Sequence, residues 1–305
     1  MTATSENSPL VLVCGEGLFD LVPSTTAPLS PLVPAMGGGP FNAAIAASRQ
    51  GAPVQFLSRL STDTFGQALV SRLESEGVDV SLVQRGPEPT TLALTSIGED
   101  GSARYTFYIE GTADRMVEPP ATVAADLACF GTVSLALEPG ASRYADLLRT
   151  LSQQGTFVTL DPNIRPFYAH DAHKAFLESL YPFVDLLKLS DEEEEFLGSP
   201  SAPIKVITRG GDGVSIVLGG TTTIDVPGRQ ITVADTIGAG DTIMGSLLSQ
   251  ISARVGARGG AVREAVASFS TEDWAEIGAW AVTAAAITCS RTGAQPPTAA
   301  EVEAF

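Results

Sequence analysis

Asp235-Thr236-Ile237-Gly238-Ala239-Gly240-Asp241 sets two carboxylates around a turn of small residues. The turn follows the β-branched Ile231 and Val233 and precedes Ile243, Leu247 and Ile251 at helical spacing. A turn at a helix start offers unpaired main-chain N–H groups and the positive end of the helix dipole, an anion site. An anion hole with a base beside it suits phosphoryl transfer to a hydroxyl. An Asp-capped helix would look the same, so the turn alone leaves both readings open.

Two further groups could serve such chemistry. Gly37-Gly38-Gly39-Pro40-Phe41-Asn42 precedes an Ala-rich helix; its glycines let main chain approach a ligand, and Asn42 can donate to and accept from a hydroxyl. Asp20, just past the first strand, can accept from two adjacent hydroxyls. A flexible turn and a solvated loop acid are the alternatives.

These residues need a scaffold, and the pattern supplies one. Strands are predicted at Leu10–Val13, Val54–Leu57, Thr156–Leu160, Val184–Leu187, Ile204–Thr208 and Val214–Leu218. Helices are predicted at Pro40–Gln50, from a Thr64/Gln67 capping box to Gly77, at Ala141–Gln154 and Asp191–Phe196, after Asp241, and at Asp273–Ile287. Alternating strands and helices imply an α/β, doubly wound, mostly parallel sheet with helices on both faces. The Pro-rich Leu21–Met36 and the strand-like Leu92–Ile97 and Ala103–Ile109, joined by Gly98-Glu99-Asp100-Gly101, break that rhythm. They read as a small antiparallel β lid, about 21–36 and 90–113, within a single domain spanning 1–305.

A formal charge of −17 argues against nucleic acid as a partner, and no apolar run reaches membrane-spanning length. The polar Met1–Pro9 lacks the features of a signal peptide, which points to the cytoplasm. Cys14, Cys129 and Cys289 read as reduced core or near-core thiols. His170 and His173 read as a solvated helix start, since no third metal ligand accompanies them. There is no Gly-x-x-x-x-Gly-Lys-Ser/Thr loop, and no Gly-x-Gly-x-x-Gly follows the first strand.

Taken together and in order, these motifs resemble the ribokinase/PfkB family of sugar kinases over nearly the whole chain. Asp-Thr-x-Gly-Ala-Gly-Asp is one family signature, and Gly-Gly-x-x-x-Asn before an Ala-rich helix is the other. Between and beyond them come Gly15–Asp20, the inserted hairpin, Asp161-Pro162-Asn163-Ile164-Arg165, Lys188-Leu189-Ser190-x-x-Glu193, Thr208-Arg209-Gly210-Gly211-Asp212-Gly213, and Gly293-Ala294-Gln295-Pro296.

The resemblance implies ATP-dependent phosphorylation of a sugar hydroxyl, with Asp241 as base and the amides of Gly238, Ala239 and Gly240 holding the phosphoryl group. It implies sugar contacts from Asp20, Gly38, Gly39, Asn42, Tyr105, Phe107, Glu138, Arg165 and Asp241 itself. On the nucleotide side it implies Lys188, Ser190, Thr208, Gly210, Gly213, Gly238 and Gly240, with Ala281–Ala285 near the adenine. Glu193 would order Mg²⁺ through water, although Ser190 replaces the family's usual Asn. Asp235 and the carbonyl of Ile237 would hold a monovalent cation such as K⁺, although Pro297 replaces a usual Ser.

The Asp-Pro-Asn-Ile-Arg and lid sequences look most like the fructokinase and 2-keto-3-deoxygluconate kinase branches. Acid-sugar kinases usually carry an Arg where this chain has Ile109. A desolvated carboxylate left without that partner loses about 2–5 kcal/mol, so a neutral ketose is expected. The leading expectation is fructose to fructose 6-phosphate, with 2-keto-3-deoxygluconate or another ketose or ribose as alternatives. A nucleoside kinase and a non-catalytic sugar-binding regulator on the same fold are the competing classes. By analogy, the lid implies a homodimer.

Overall fold

The computed structural model describes residues 8–25, 27, 29–97 and 103–305. It opens with β1 (Val11–Cys14), buried along its length because both faces are covered. Val11 and Val13 face one core while Leu12 and Cys14 face the other. β2 (Leu18–Pro23) and β3 (Leu32–Gly37) leave the main sheet, and α1 (Gly39–Arg49) returns to it. Next come β4 (Val54–Ser61), α2 (Thr64–Ser75), β5 (Val83–Gly86), β6 (Leu92–Ile97) and β7 (Ala103–Tyr108).

The middle of the chain alternates as expected: β8 (Leu127–Gly131), α3 (Gly140–Gln153), β9 (Phe157–Asp161), α4 (Asp171–Glu178), β10 (Leu186–Ser190), α5 (Asp191–Leu197) and β11 (Ile204–Thr208). A hairpin of β12 (Gly213–Leu218) and β13 (Thr222–Pro227) follows. The chain closes with α6 (Ala239–Arg258), α7 (Val262–Ala267), α8 (Thr271–Cys289) and α9 (Ala299–Glu303).

The main sheet runs β13-β12-β11-β10-β9-β8-β1-β4-β5 and is parallel from β11 to β5, with β12 and β13 as an antiparallel edge. Strand order reverses at β1, which pairs with β4 on one side and β8 on the other. In open α/β sheets such a switch point leaves a crevice past the carboxyl ends of the strands. The second sheet, β3-β2-β6-β7, is the expected lid. It departs from a fully antiparallel lid at one ladder, since β2 and β6 pair in parallel. The connection 98–101 lies outside the described residues.

Helices α1, α6 and α8 pack on one face, and small residues let α1 and α6 approach closely. A Cβ on Gly245 would stand 2.5 Å from the methyl of Ala46. The opposite face is covered by α3, α4 and α5, where Tyr144, Leu148, Leu177 and Leu197 are buried. Among the described residues, no helix is long and apolar enough to cross a membrane.

Two local expectations change. Asp63, not Thr64, caps α2: its carboxylate accepts from Gly66 N at 2.7 Å and from the Thr90 hydroxyl at 2.7 Å. His170 does cap a helix, but His173 is buried against Tyr168 and Phe176, and burial lowers its pKa to about 4.

Candidate active site

α6 begins at Ala239, with Gly238 preceding it in the left-handed region at φ 77°. Only glycine suits this position comfortably, and a Cβ there would also stand 2.6 Å from the Ala294 methyl. The first helical bond runs from Thr242 N to the Gly238 carbonyl at 2.8 Å, and Ala239 N reaches back to Thr236 O at 3.3 Å. Gly240 and Asp241, inside the first turn, have no helical acceptor for their N–H groups.

Asp241 sits in that first turn and meets α1. Asn42 Nδ2 donates to Asp241 Oδ2 at 2.8 Å. Oδ1 points toward Gly39, where a Cβ would lie 3.4 Å from it. Burial pushes the Asp241 carboxyl above the ordinary aspartate range, against the pull of Asn42, Lys188 and Arg165. A carboxylate destabilised by burial is a stronger base than one in water.

Lys188, from β10, and Asp161, at the end of β9, form a buried ion pair of 2.6 Å. Burial alone would lower the ammonium, but Asp161, Glu193 and Asp241 together hold it above the ordinary lysine range, so it stays charged. Lys188 Nζ lies 3.4 Å from where a Cβ on Gly240 would stand, placing its charge beside the helix start.

A cleft of about 790 Å³ opens over this centre, roofed by the lid. Asp20, Gly38, Gly39, Asn42, Phe107 and Arg165 all line it. Burial pushes Asp20 up to about 6, with Arg165 drawing it down and Asp241 pushing it up. The Phe107 ring lies against Phe167, centroids 4.7 Å apart. The side chain of Tyr105 lies outside the described residues.

The nucleotide-side expectations fall on neighbouring strand ends. Ser190 and Glu193 close a capping box on α5, and the Glu193 carboxylate accepts from both Ser190 N, at 2.8 Å, and Ile164 N, at 2.5 Å. Thr208 ends β11 and donates to Leu189 O at 3.3 Å. Gly210 and Gly213 shape the turn before β12; a Cβ on Gly213 would strike Val226 O. Asp235 ties the catalytic turn to the C-terminal loop, accepting from Ile237 N at 3.0 Å and Gly293 N at 2.9 Å. Ala281–Ala285, expected near an adenine, are buried in α8.

Glu138 is not brought together with the others: it is exposed beside the start of α3, where it accepts from Ser142 N and the Ser142 hydroxyl, and it is not among the cleft-lining residues. Glu16, only 2% exposed, lines the cleft along with Asp20 and Asp241, and the sequence motifs did not single it out. It accepts from Thr132 Oγ1 at 2.6 and 2.8 Å and from the Ser134 hydroxyl. The signal was available: an acid directly after a fully buried strand has to face something polar. Thr132 and Asn163 also line the cleft and were not singled out.

The switch-point cleft, the lid and the helix-start turn define the class: a ribokinase-like α/β enzyme. The chain belongs to the pfkB family of carbohydrate kinases, which it matches over residues 10–301. Membership makes it an ATP-dependent sugar kinase. Fructokinase from Rhizobium leguminosarum bv. trifolii is 34% identical over 265 residues, covering 79% of each chain. Fructokinase-2 from Solanum lycopersicum is 31% identical over 279 residues, 81% of this chain and 83% of its own. The fructokinase from Xylella fastidiosa with bound ATP shares the fold at a TM-score of 0.84, with 24% identity and 97% of both chains covered. Fructokinase from Vibrio cholerae O395 with fructose, ADP and calcium ion gives 0.83 at 23% identity, over 98% of this chain and 99% of its own.

Proposed function

We propose that this protein transfers the γ-phosphoryl group of ATP to the 6-hydroxyl of fructose. The observation that carries this reading is the division of the Asp241 carboxylate. Oδ2 is held by Asn42 at 2.8 Å, which leaves Oδ1, facing Gly39, to take the proton from an acceptor hydroxyl. The free N–H groups at the start of α6 and the Lys188 ammonium offset charge on the transferring phosphoryl group. Asp161 keeps Lys188 aimed and charged.

A neutral acceptor suits the charges of the cleft. Among the described residues lining it, three carboxylates, Glu16, Asp20 and Asp241, face two cations, and Lys188 is committed to Asp161. Arg165 is left for the acceptor or its phosphate. A sugar acid would add a fourth carboxylate to that wall.

Among the described residues, no group of three or more His, Cys, Asp or Glu side chains could hold a metal alone. Mg²⁺ fits as an ion carried by the nucleotide phosphates and water, near Asp161, whose buried Oδ1 has no partner, and Glu193. When bound it neutralises phosphate charge. The Asp235 and Ile237 turn, tied to Gly293, is the proposed place for K⁺. Exposed Leu32, Val33, Met36 and Tyr108 on the lid support a homodimer through that sheet. The free thiols, Cys14 and Cys129 among them buried, fit a reducing cytoplasm.

An ATP-coupled screen over fructose, 2-keto-3-deoxygluconate, ribose and nucleosides tests the reading. Fructose is expected to give the highest kcat/KM. A higher value for the sugar acid would overturn the neutral acceptor, and sugar binding with no turnover on any of these would favour the regulator.

A further inference from the structure

Two non-glycine residues adopt the left-handed region at adjacent strand ends: Thr132 at φ 63°, after β8, and Asn163 at φ 43°, after β9. Gly131 and Asp161, the last residues of those strands, are register partners. Asparagine tolerates this conformation, but a β-branched residue does not adopt it without a compensating restraint. Such strain persists where surrounding contacts over-determine it, and it gathers at functional sites.

The restraint on Thr132 is Glu16. Thr132 Oγ1 lies 2.6 and 2.8 Å from the two Glu16 carboxyl oxygens and 2.7 Å from Gly131 O. Ser134 donates to the same carboxyl. Pulled this way, the Thr132 methyl lands at Gly39, where a Cβ would stand 2.5 Å from it. Asn163 Nδ2 and Asp241 Oδ1 come within 3.3 and 3.4 Å of the same point. The main chain of Glu16 packs against the turn as well, since a Cβ on Gly38 would lie 2.7 Å from Glu16 O.

We propose that Glu16 is a positioning residue for the acceptor, holding strained Thr132 so that the Gly38–Gly39 turn, Asn163 and Asp241 enclose one hydroxyl. The inference rests on the acceptor side of the cleft assigned above. Glu16 touches neither reactant; it acts through Thr132. A glycine at position 132 would adopt φ 63° unaided, so Thr132→Gly should remove the need for Glu16.

A double-mutant cycle tests this, with KM for fructose and for ATP measured separately and fructose affinity measured by calorimetry. Glu16→Ala is expected to raise KM for fructose by about ten-fold or more and leave KM for ATP within about two-fold. Glu16→Gln, which keeps one acceptor oxygen and offers an N–H to the other hydroxyl, is expected to recover KM for fructose to within about three-fold. In the Thr132→Gly background, Glu16→Ala should change KM for fructose by less than about two-fold. Equal effects of Glu16→Ala in both backgrounds, or a parallel rise in both KM values, would overturn the proposal. If Glu16→Ala fails to fold, Thr132→Gly must restore a cooperative thermal transition; its failure to do so counts against the proposal equally. Wild-type turnover on fructose separates the fate of the functional reading from the fate of the cycle.

Discussion

The two walls of the cleft are built on opposite principles. On the transfer side, Asp241 is fixed by Asn42 at 2.8 Å and Lys188 by Asp161 at 2.6 Å, all on strand ends or packed helix starts. On the acceptor side, Arg165 reaches, among the described residues, only the neighbouring Asn163 and Ile164 carbonyls at 3.5 and 3.4 Å. The Asp20 carboxylate has no hydrogen-bond donor among the described residues, and burial has already raised it to about 6. One wall therefore stands assembled before any substrate arrives, while the other keeps polar groups in want of partners. Catalysis gains from preorganised charge, whereas recognition gains from groups that a correct sugar alone can satisfy.

That contrast can be broken in graded ways. Asp241→Asn should lower kcat by roughly 10²–10⁴-fold in an ATP-coupled assay, the range expected for loss of a general base. Lys188→Met leaves Asp161 buried without its cation, and unfolding by urea should show a loss of about 3–5 kcal/mol along with reduced turnover.

Glu16→Gln probes pH. Burial raises Glu16 from 4.5 to about 7, against the hydrogen bonds from Ser134 and Thr132. Between those values the folded chain binds a proton that the unfolded chain has lost, so stability falls as pH rises and levels off above about 7. The full difference is about 3 kcal/mol, and Glu16→Gln should remove that slope in denaturation measured from pH 4 to pH 8. Arg165→Ala, on the open wall, should raise KM for the sugar about ten-fold while KM for ATP moves less than two-fold. A larger effect on ATP would move Arg165 to the phosphate side.

Much of the transfer wall was legible in the chain. The Gly238–Asp241 turn announces itself because glycine, small residues and an acid at a helix start are all demanded by local geometry. The Gly38–Asn42 turn is legible for the same reason, and the bond between Asn42 and Asp241 follows from the close α1–α6 packing that Gly245 permits. The placing of Glu138 was not legible, because position in a motif does not encode where a carboxylate turns, and here Ser142 engages it locally. Glu16 and Thr132 stayed hidden for a related reason. Their partnership joins the ends of β1 and β8, far apart in sequence and adjacent only after the sheet has formed. The cap at Asp63, bonded to Gly66 N three residues on, and the edge hairpin β12–β13, closed over Gly219 and Gly220, lay within short windows; only the Thr90 bond to Asp63 depends on the folded sheet.

The separation of the two walls is tested most directly by titrating fructose into Asp241→Asn protein by calorimetry. An assembled transfer wall and an independent acceptor wall predict a Kd within about three-fold of the wild-type value, beside the large loss of turnover. A loss of fructose affinity by more than about thirty-fold would contradict the division, because Asp241 would then hold the sugar by more than one contact to its acceptor hydroxyl.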